Sequence, residues 1–122
     1  MVQETPKIFE GPFCVAVTCV RVPVLRAHCE SINLQFSRAV SLQEVYDVLD
    51  AAPGVVMVDD RVNNKHPEPL DAAEGDAILV GRVRHDQSVE AGHGIEMFVA
   101  GDQLLKGAAL NAVQIAELLL EK

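Results

Sequence analysis

Aromatic residues are scarce in this sequence, which has no tryptophan, one tyrosine and four phenylalanines. Together with 49% apolar and 23% charged residues, this composition predicts an ordinary soluble globular protein that is neither disordered nor membrane-bound. The sequence also lacks an apolar stretch of the roughly 20 residues that a membrane-spanning helix needs, because Arg21 and Pro23 interrupt the longest run. No basic segment followed by an apolar one marks a secretion signal. We expect a chain that is neither exported nor membrane-anchored.

Basic residues are few: ten lysines and arginines stand against eighteen aspartates and glutamates, for a formal net charge of −8. A field of this sign repels nucleic acids and anionic lipid surfaces, so we predict neither as a partner. The cysteines are three in number, Cys14, Cys19 and Cys29. An odd count in apolar surroundings is typical of buried, reduced thiols rather than of disulfides, and favours a cytoplasmic protein.

Motifs for several chemistries are missing. No Gly-x-Gly-x-x-Gly or P-loop is present, so any nucleotide must be held mainly by another part of the protein. No serine lies in a nucleophile elbow, and neither the cysteines nor the histidines have metal-ligand spacing, so no metal is predicted. A Cys29 thiolate activated by His28 is disfavoured, because neighbours in an extended segment point to opposite sides.

The strand signals begin early in the chain. Residues 13–22 (FCVAVTCVRV) are rich in β-branched side chains and predict a strand that is buried on both faces and ends at Pro23. Residues 31–36 alternate polar and apolar side chains, which predicts a strand with one buried face. The pairs Ser41/Glu44 and Pro53/Gly54 then mark a capping box and a helix end, so residues 42–52 are predicted to form a helix.

Three more strands and one long helix are predicted in the second half. The predicted strands are 55–58, 77–84 and 95–100, with a surface loop at 59–69 and a long hairpin connection between the last two strands. The last helix is predicted over 103–121 with a broad apolar face. The sequence therefore predicts one α+β domain over residues 1–122, with a mixed sheet of about five strands or more and helices packed on one face.

Arg21 and His28 are the candidate functional residues. A guanidinium offers a planar fork for a carboxylate, and an imidazole exchanges protons near neutral pH. Pro23 breaks the strand between them, so both side chains can face one cleft. The spacing alone does not separate this from an ordinary outcome, in which the arginine at a strand end is solvated and the histidine is structural.

A resemblance adds to this interpretation. Residues 18–24 (TCVRVPV), followed by His28 and Glu30-Ser31, resemble the TCVRVPV-x-x-GHSE stretch of the aspartate-semialdehyde dehydrogenases. Later segments resemble that family's later signatures in the same order: 52–55 (APGV), 59–60 (DD), 80–84 (VGRVR) and 107–117 (GAALNAVQIAE). The resemblance implies the fold of the C-terminal domain of glyceraldehyde-3-phosphate dehydrogenase-like enzymes.

The resemblance also implies an activity and a set of roles. The complete enzyme forms L-aspartate 4-semialdehyde from 4-phospho-L-aspartate with NADPH, for lysine, threonine, methionine and isoleucine synthesis. By resemblance, Arg21 binds the substrate α-carboxylate, His28 is the general acid/base and Gln103 contacts the nicotinamide end of NADP. The implied partners are a second copy in a homodimer, an N-terminal NADP-binding domain against which helix 103–121 packs, and a small-molecule substrate with phosphate.

The resemblance has gaps. The family's nucleophilic cysteine belongs to the N-terminal domain, so this chain alone is predicted to be inactive. Pro6, Ala27 and Cys29 depart from the family pattern, and Ala27 stands where the family has a glycine before the histidine. A residue with a Cβ tolerates positive φ poorly, so Ala27 could displace His28. The alternative function is a non-catalytic dimerisation or metabolite-binding module of the same fold; a related N-acetyl-glutamyl-phosphate reductase fits the 107–117 helix less well.

Overall fold

The fold is one four-stranded mixed sheet with helices, described by a computed structural model for residues 2–12 and 14–120. The elements in chain order are α1 (Glu4–Ile8), β1 (His28–Gln35), α2 (Leu42–Ala51), β2 (Val55–Met57), α3 (Pro69–Ala72), β3 (Ile78–His85), β4 (Gly94–Gly101), a π-helix (Leu105–Ala109) and α4 (Leu110–Leu120). The strand order is β1-β4-β3-β2. β4 is antiparallel to both of its neighbours, and β2 is parallel to β3. The predicted α+β class is confirmed.

Helix α2 begins with the predicted capping box. The Ser41 hydroxyl accepts a hydrogen bond from the Glu44 N–H, and the Glu44 carboxylate accepts one from the Ser41 N–H at 2.7 Å. Each bond satisfies a backbone donor that the first helical turn would otherwise leave free. The helix ends before Pro53, and Gly54 adopts φ +76° in the turn into β2. The predicted helix is therefore confirmed to within a residue.

The core lies on the face of the sheet that α2 covers. Val80 and Met97, both buried, point to this face and contact the apolar stripe of α2 formed by Leu42, Val45, Tyr46 and Leu49. The opposite face carries a smaller cluster, in which the buried Ala72 of the one-turn helix α3 packs with Ala100 of β4. Because side chains alternate along a strand, one set of strands supplies both clusters.

A bulge in β3 is held by the segment that follows β2. The ladder to β4 shifts between Gly81 and Arg84, and Arg82 adopts φ +55°. Asp59, whose side chain is only 8% exposed, accepts hydrogen bonds from the Val83 N–H at 3.1 Å and from the Tyr46 hydroxyl at 2.6 Å. This carboxylate therefore joins the bulge to α2. Part of the predicted surface loop 59–69 is thus internal.

The predicted strand at 13–22 is wrong. Phe13 lies outside the described residues, and residues 14–22 form no strand and are mostly exposed. A strand needs a neighbour for its backbone hydrogen bonds, and in the described sheet β1 and β2 are the edge strands, so this segment is not paired into the sheet despite its β-branched composition. The described sheet consequently has four strands rather than about five.

The last helix also differs from the prediction for 103–121. Gln103 lies in a turn, the first regular turn is the π-helix, and the α-helix starts only at Leu110. Residue 121 lies outside the described residues. The apolar side chains of α4 are exposed, including Val113, Ile115 and Leu118. In the described part of the chain, no helix is long and apolar enough to span a membrane.

The close approach at Gly81 gives a test of the bulge. A Cβ built on Gly81 would overlap the Val58 carbonyl oxygen, whereas a Cβ on Gly107 would meet nothing nearer than 3.6 Å. We expect Gly81→Ala to lower the free energy of unfolding by about 3 kcal/mol, the upper end of the usual cost of overpacking. Gly107→Ala is the matched control and should change it by less than about 1 kcal/mol. Urea denaturation measures both; equal losses would contradict the described packing.

Candidate active site

An open cleft of ≈ 250 Å³ lies where β1 begins and β4 ends. It is on the α2 face of the sheet, because its floor residue Val99 belongs to the core cluster on that face. The residues that line it are His28, Glu30, Ile78, Val99, Gly101, Asp102, Gln103 and Gly107. Three elements therefore meet here: the start of β1, the start of β3 and the turn from β4 into the π-helix.

His28 is the first residue of β1 and is exposed to the cleft. It is paired with Gly101 in the antiparallel ladder, and Glu30 is paired with Val99. Alternation along β1 places His28 and Glu30 on one face and Cys29 on the other. The imidazole is thus anchored through its backbone while its ring remains open to a reactant.

Two glycines, Gly101 and Gly107, line the cleft together with His28. A Cβ on Gly101 would overlap Ile78 Cδ1, so the isoleucine side chain occupies the position that a larger residue would need. Gly107 brings the π-helix to the cleft without a side chain. π-helical turns are often found at functional sites, and this one contributes Gly107 to the lining of the cleft.

The residue before the histidine is held in an unusual conformation. Ala27 has φ +81°, in the left-handed region, and is 7% exposed. Its N–H donates a hydrogen bond to Gln103 Oε1 at 2.7 Å. The bend before His28 therefore uses the positive φ that glycine adopts most easily, and alanine bears a strain of roughly 1–2 kcal/mol there.

Asp102 is fully buried at the edge of the cleft. Its carboxylate accepts hydrogen bonds from the Glu74 N–H at 2.7 Å and the Leu104 N–H at 2.9 Å, and it lies 2.5 Å from Arg26 Nη2. Burial by itself would raise the pKa of this carboxyl. The hydrogen bonds from Glu74 and Leu104 and the Arg26 guanidinium outweigh burial and hold the Asp102 pKa below its usual range.

A family model described as semialdehyde dehydrogenase, dimerisation domain, matches residues 1–106 of the chain. The chain belongs to this family. The aspartate-semialdehyde dehydrogenase of Synechocystis sp. is 49% identical over 100% of the chain, which corresponds to 36% of that protein. The Mycolicibacterium smegmatis aspartate-semialdehyde dehydrogenase is 50% identical over 95% of the chain and 32% of its own length. The chain thus spans about a third of the length of the curated relatives it matches.

The fold agrees with that membership. The crystal structure of aspartate semialdehyde dehydrogenase II from Vibrio cholerae, complexed with ASA, matches 100% of this chain and 35% of its own with a TM-score of 0.81 and 41% identity. A Francisella tularensis aspartate semialdehyde dehydrogenase matches with a TM-score of 0.75 at 24% identity, which supports the fold alone. The predicted resemblance to the family is therefore confirmed.

In this dimerisation domain, the predicted site residues are only partly brought together. His28 and Gln103 line the same cleft, and Gln103 contacts the residue before His28. Arg21 is exposed in the irregular segment and is not among the cleft-lining residues. The assigned roles of Arg21, His28 and Gln103 remain predictions.

The sequence analysis missed Asp102 and Arg26. An aspartate between a strand and a helix is a recognisable helix N-cap signal, and Asp102 does accept from the Leu104 N–H. Nothing in the spacing of Arg26 and Asp102, 76 residues apart, indicates that the two side chains pair. Only the alignment of β1 with β4 makes that contact.

The cysteines are not buried, contrary to the prediction. Cys14, Cys19 and Cys29 are exposed, because the first two lie in the irregular segment and the third lies on edge strand β1. Partial burial raises the pKa of the Cys29 thiol, which disfavours a reactive thiolate. In residues 2–12 and 14–120, no group of three or more histidine, cysteine, aspartate or glutamate side chains could hold a metal ion.

The strain at Ala27 can be measured against a second buried alanine. We expect Ala72→Gly to lower the free energy of unfolding by about 2 kcal/mol, because a buried methyl group and helix propensity are both lost. Ala27→Gly loses the same methyl group but relieves the positive φ, so its loss should be under about 1 kcal/mol. Chemical denaturation of both variants decides this; equal losses would show that the Ala27 backbone is unstrained.

Stability should depend on pH through Asp102. A carboxyl whose pKa is lower in the folded than in the unfolded chain stabilises the fold above the unfolded value of about 4, and this stabilisation is lost as pH falls through the folded pKa. We therefore expect the urea concentration at the unfolding midpoint to decrease as the pH is lowered below about 4. This decrease should be smaller in Asp102→Asn. Asp59 and Asp86, whose pKa values are also lowered, should maintain the remaining dependence. Identical pH profiles for the two proteins would contradict the assignment.

Proposed function

We propose that this chain is the C-terminal, substrate-binding and dimerisation part of an aspartate-semialdehyde dehydrogenase. The complete enzyme would form L-aspartate 4-semialdehyde from 4-phospho-L-aspartate with NADPH, in the synthesis of lysine, threonine, methionine and isoleucine. The single observation that carries the proposal is the cleft in which His28 lies beside Gln103. Both residues are at positions where the sequence resembles the dehydrogenase family.

His28 has the access that a general acid/base needs. Its ring lines an open cleft, and its backbone is fixed by the ladder to Gly101. A reactant in the cleft can therefore exchange a proton directly with the imidazole, the side chain that most often serves as a general acid or base. In the proposed reaction, His28 assists a cysteine thiolate that attacks the substrate carbonyl, and that cysteine is supplied by the N-terminal part of the enzyme.

The cleft fits one end of a dinucleotide rather than all of it. A volume of ≈ 250 Å³ is below the roughly 300–1,000 Å³ of pockets that enclose a drug-sized ligand. Gln103 Oε1 is occupied by the Ala27 N–H, which leaves the two N–H donors of the same amide free for an acceptor in the cleft. Gln103 would thus hold the carboxamide of NADP, whose nicotinamide ring supplies hydride chemistry when bound.

Arg21 is proposed to bind the substrate α-carboxylate, as a guanidinium can do with two parallel hydrogen bonds. The residue is on the irregular segment 14–22, which also exposes the apolar side chains of Val17, Val20 and Val22. Exposed apolar side chains in sequence favour burial against another surface. We infer that the segment becomes ordered against the rest of the enzyme and thereby carries Arg21 to the cleft.

Helix α4 supports the proposed domain arrangement. Its main contacts in the described chain are with the π-helix that precedes it, and Val113, Ile115 and Leu118 are more than half exposed. We propose that this face packs toward the N-terminal NADP-binding domain. The homodimer is proposed to form through other surfaces of the same domain, in agreement with the description of the family as a dimerisation domain.

Activity of a joined enzyme tests the proposal. The chain would be fused to the remaining, N-terminal part of the Synechocystis relative, and reduction of NADP would be followed with aspartate semialdehyde and phosphate. We expect turnover from the fusion but none from the chain alone. His28→Ala should lower kcat by about 10²–10⁴-fold, the usual contribution of a general acid/base. Arg21→Ala should act mainly by raising KM for the semialdehyde.

The controls are a matched histidine and a matched arginine. His66→Ala and Arg38→Ala remove the same side-chain types from the 59–69 loop and from the connection between β1 and α2, and both should leave the kinetics unchanged. A folded fusion with no activity would favour the non-catalytic module. Full activity in His28→Ala would remove the proposed general acid/base, and activity of the chain alone would contradict the location of the nucleophile.

A further inference from the structure

The two residues before His28 are held by two consecutive residues at the other side of the cleft. Arg26 pairs with Asp102, with 2.5 Å between Nη2 and Oδ2. The Ala27 N–H donates to Gln103 Oε1. The ladder then fixes His28 itself opposite Gly101. The segment 26–28 is therefore matched, residue by residue, against the segment 101–103.

We propose that Asp102 is a positioning residue for His28, acting through Arg26 and through the turn that presents Gln103 to Ala27. This inference rests on the proposed role of His28 as the general acid/base. Asp102 touches neither substrate nor cofactor in this proposal. Its function is to hold the backbone bend from which the imidazole projects into the cleft.

The burial of Asp102 supports this role. It is 0% exposed, and its carboxylate also accepts from the Leu104 and Leu105 N–H groups, so the same side chain fixes the turn that contains Gln103. A buried carboxylate with several donors has one favourable position, because moving it would break hydrogen bonds that water cannot replace. Asp102 thus fixes both contacts of the segment 26–28, namely its own pair with Arg26 and the hydrogen bond from Ala27 to Gln103.

An unsatisfied hydrogen-bond donor at Arg26 also supports the positioning role. Arg26 Nε is buried and has no hydrogen-bond partner in the described part of the chain. Buried donors are normally satisfied, so the guanidinium is held at Asp102 at the expense of one of its own hydrogen bonds. Ala27 is held at positive φ in the same bend. Strain of both kinds persists only where the surroundings over-determine the geometry.

Amide hydrogen exchange on the 122-residue chain tests directly whether Asp102 fixes the segment 26–28. Asp102→Asn should reduce the protection of the Ala27 amide by about tenfold or more and leave that of the Val83 amide nearly unchanged, since each amide reports its own local opening. Asp59→Asn is the matched control, because Asp59 is a second buried carboxylate that accepts from the Val83 N–H. It should lower the protection of Val83 and spare Ala27.

Arg26→Met provides a second variant in case Asp102→Asn does not fold. It keeps the apolar stem of a partly exposed side chain and removes the guanidinium that pairs with Asp102 and, at 3.8 Å, with the exposed Glu74 carboxylate. It should also lower Ala27 protection relative to Val83. Unchanged Ala27 protection in a folded Asp102→Asn or Arg26→Met chain would overturn the proposal, as would an equal loss at both amides in the two aspartate variants.

Kinetics of the fused enzyme separate positioning from stability. A misaimed His28 should lower kcat by about 10–100-fold with KM changed less than about twofold, because only the transition state uses the aimed imidazole. Asp59→Asn should leave kcat within about twofold of the parent enzyme. A kcat as high in Asp102→Asn as in Asp59→Asn would overturn the proposal. Full activity in His28→Ala would instead contradict the proposed function. The hydrogen-exchange result would still show whether Asp102 fixes the segment 26–28.

Discussion

The buried carboxylate of Asp102 is the constraint on which the candidate site depends. It follows the end of β4 and accepts from three separate parts of the chain: Glu74 after α3, Leu104 before the π-helix and Arg26 before β1. Removing a carboxylate from water is costly unless donors surround it, and here the donors come from residues far apart in sequence. The charge is therefore stable only when these elements are correctly assembled. The same assembly forms the cleft, so the cleft is preformed in the folded chain.

A second aspartate connects separate elements on the α2 face in the same way. Asp59 joins the Tyr46 hydroxyl of α2 to the Val83 N–H in the β3 bulge, and Gly81 allows the bulge to approach the Val58 carbonyl. Hydrophobic contact between α2 and the sheet is not directional, so it does not by itself set the register of the bulge. A buried carboxylate with defined donors does. The two aspartates thus supply specificity to a core made mostly of aliphatic side chains.

Two exposed parts of the chain share an apolar character. The irregular segment 14–22 and helix α4 both present apolar side chains to solvent. The sequence predicted a buried strand over 13–22, and for helix 103–121 an apolar face that packs against an N-terminal domain. The chain spans about a third of the length of its curated relatives. The proposed N-terminal domain and second subunit would cover these apolar side chains, and Arg21, on one of these segments, would join His28 and Gln103 only in that larger assembly.

Local signals determined much of this protein. The Ser41–Glu44 capping box, the Pro53-Gly54 helix end and the hairpin of β3 and β4 could be predicted because their interactions join residues close in sequence or follow a regular hydrophobic period. The family could be inferred from segments such as 18–24 and 107–117. The Arg26–Asp102 pair, the positive φ of Ala27 and the irregular conformation of 14–22 could not, because each depends on which strands become neighbours. Only the tertiary structure decides that, since pairing β1 with β4 brings residues 26–28 to residues 101–103 across 70 positions or more of sequence.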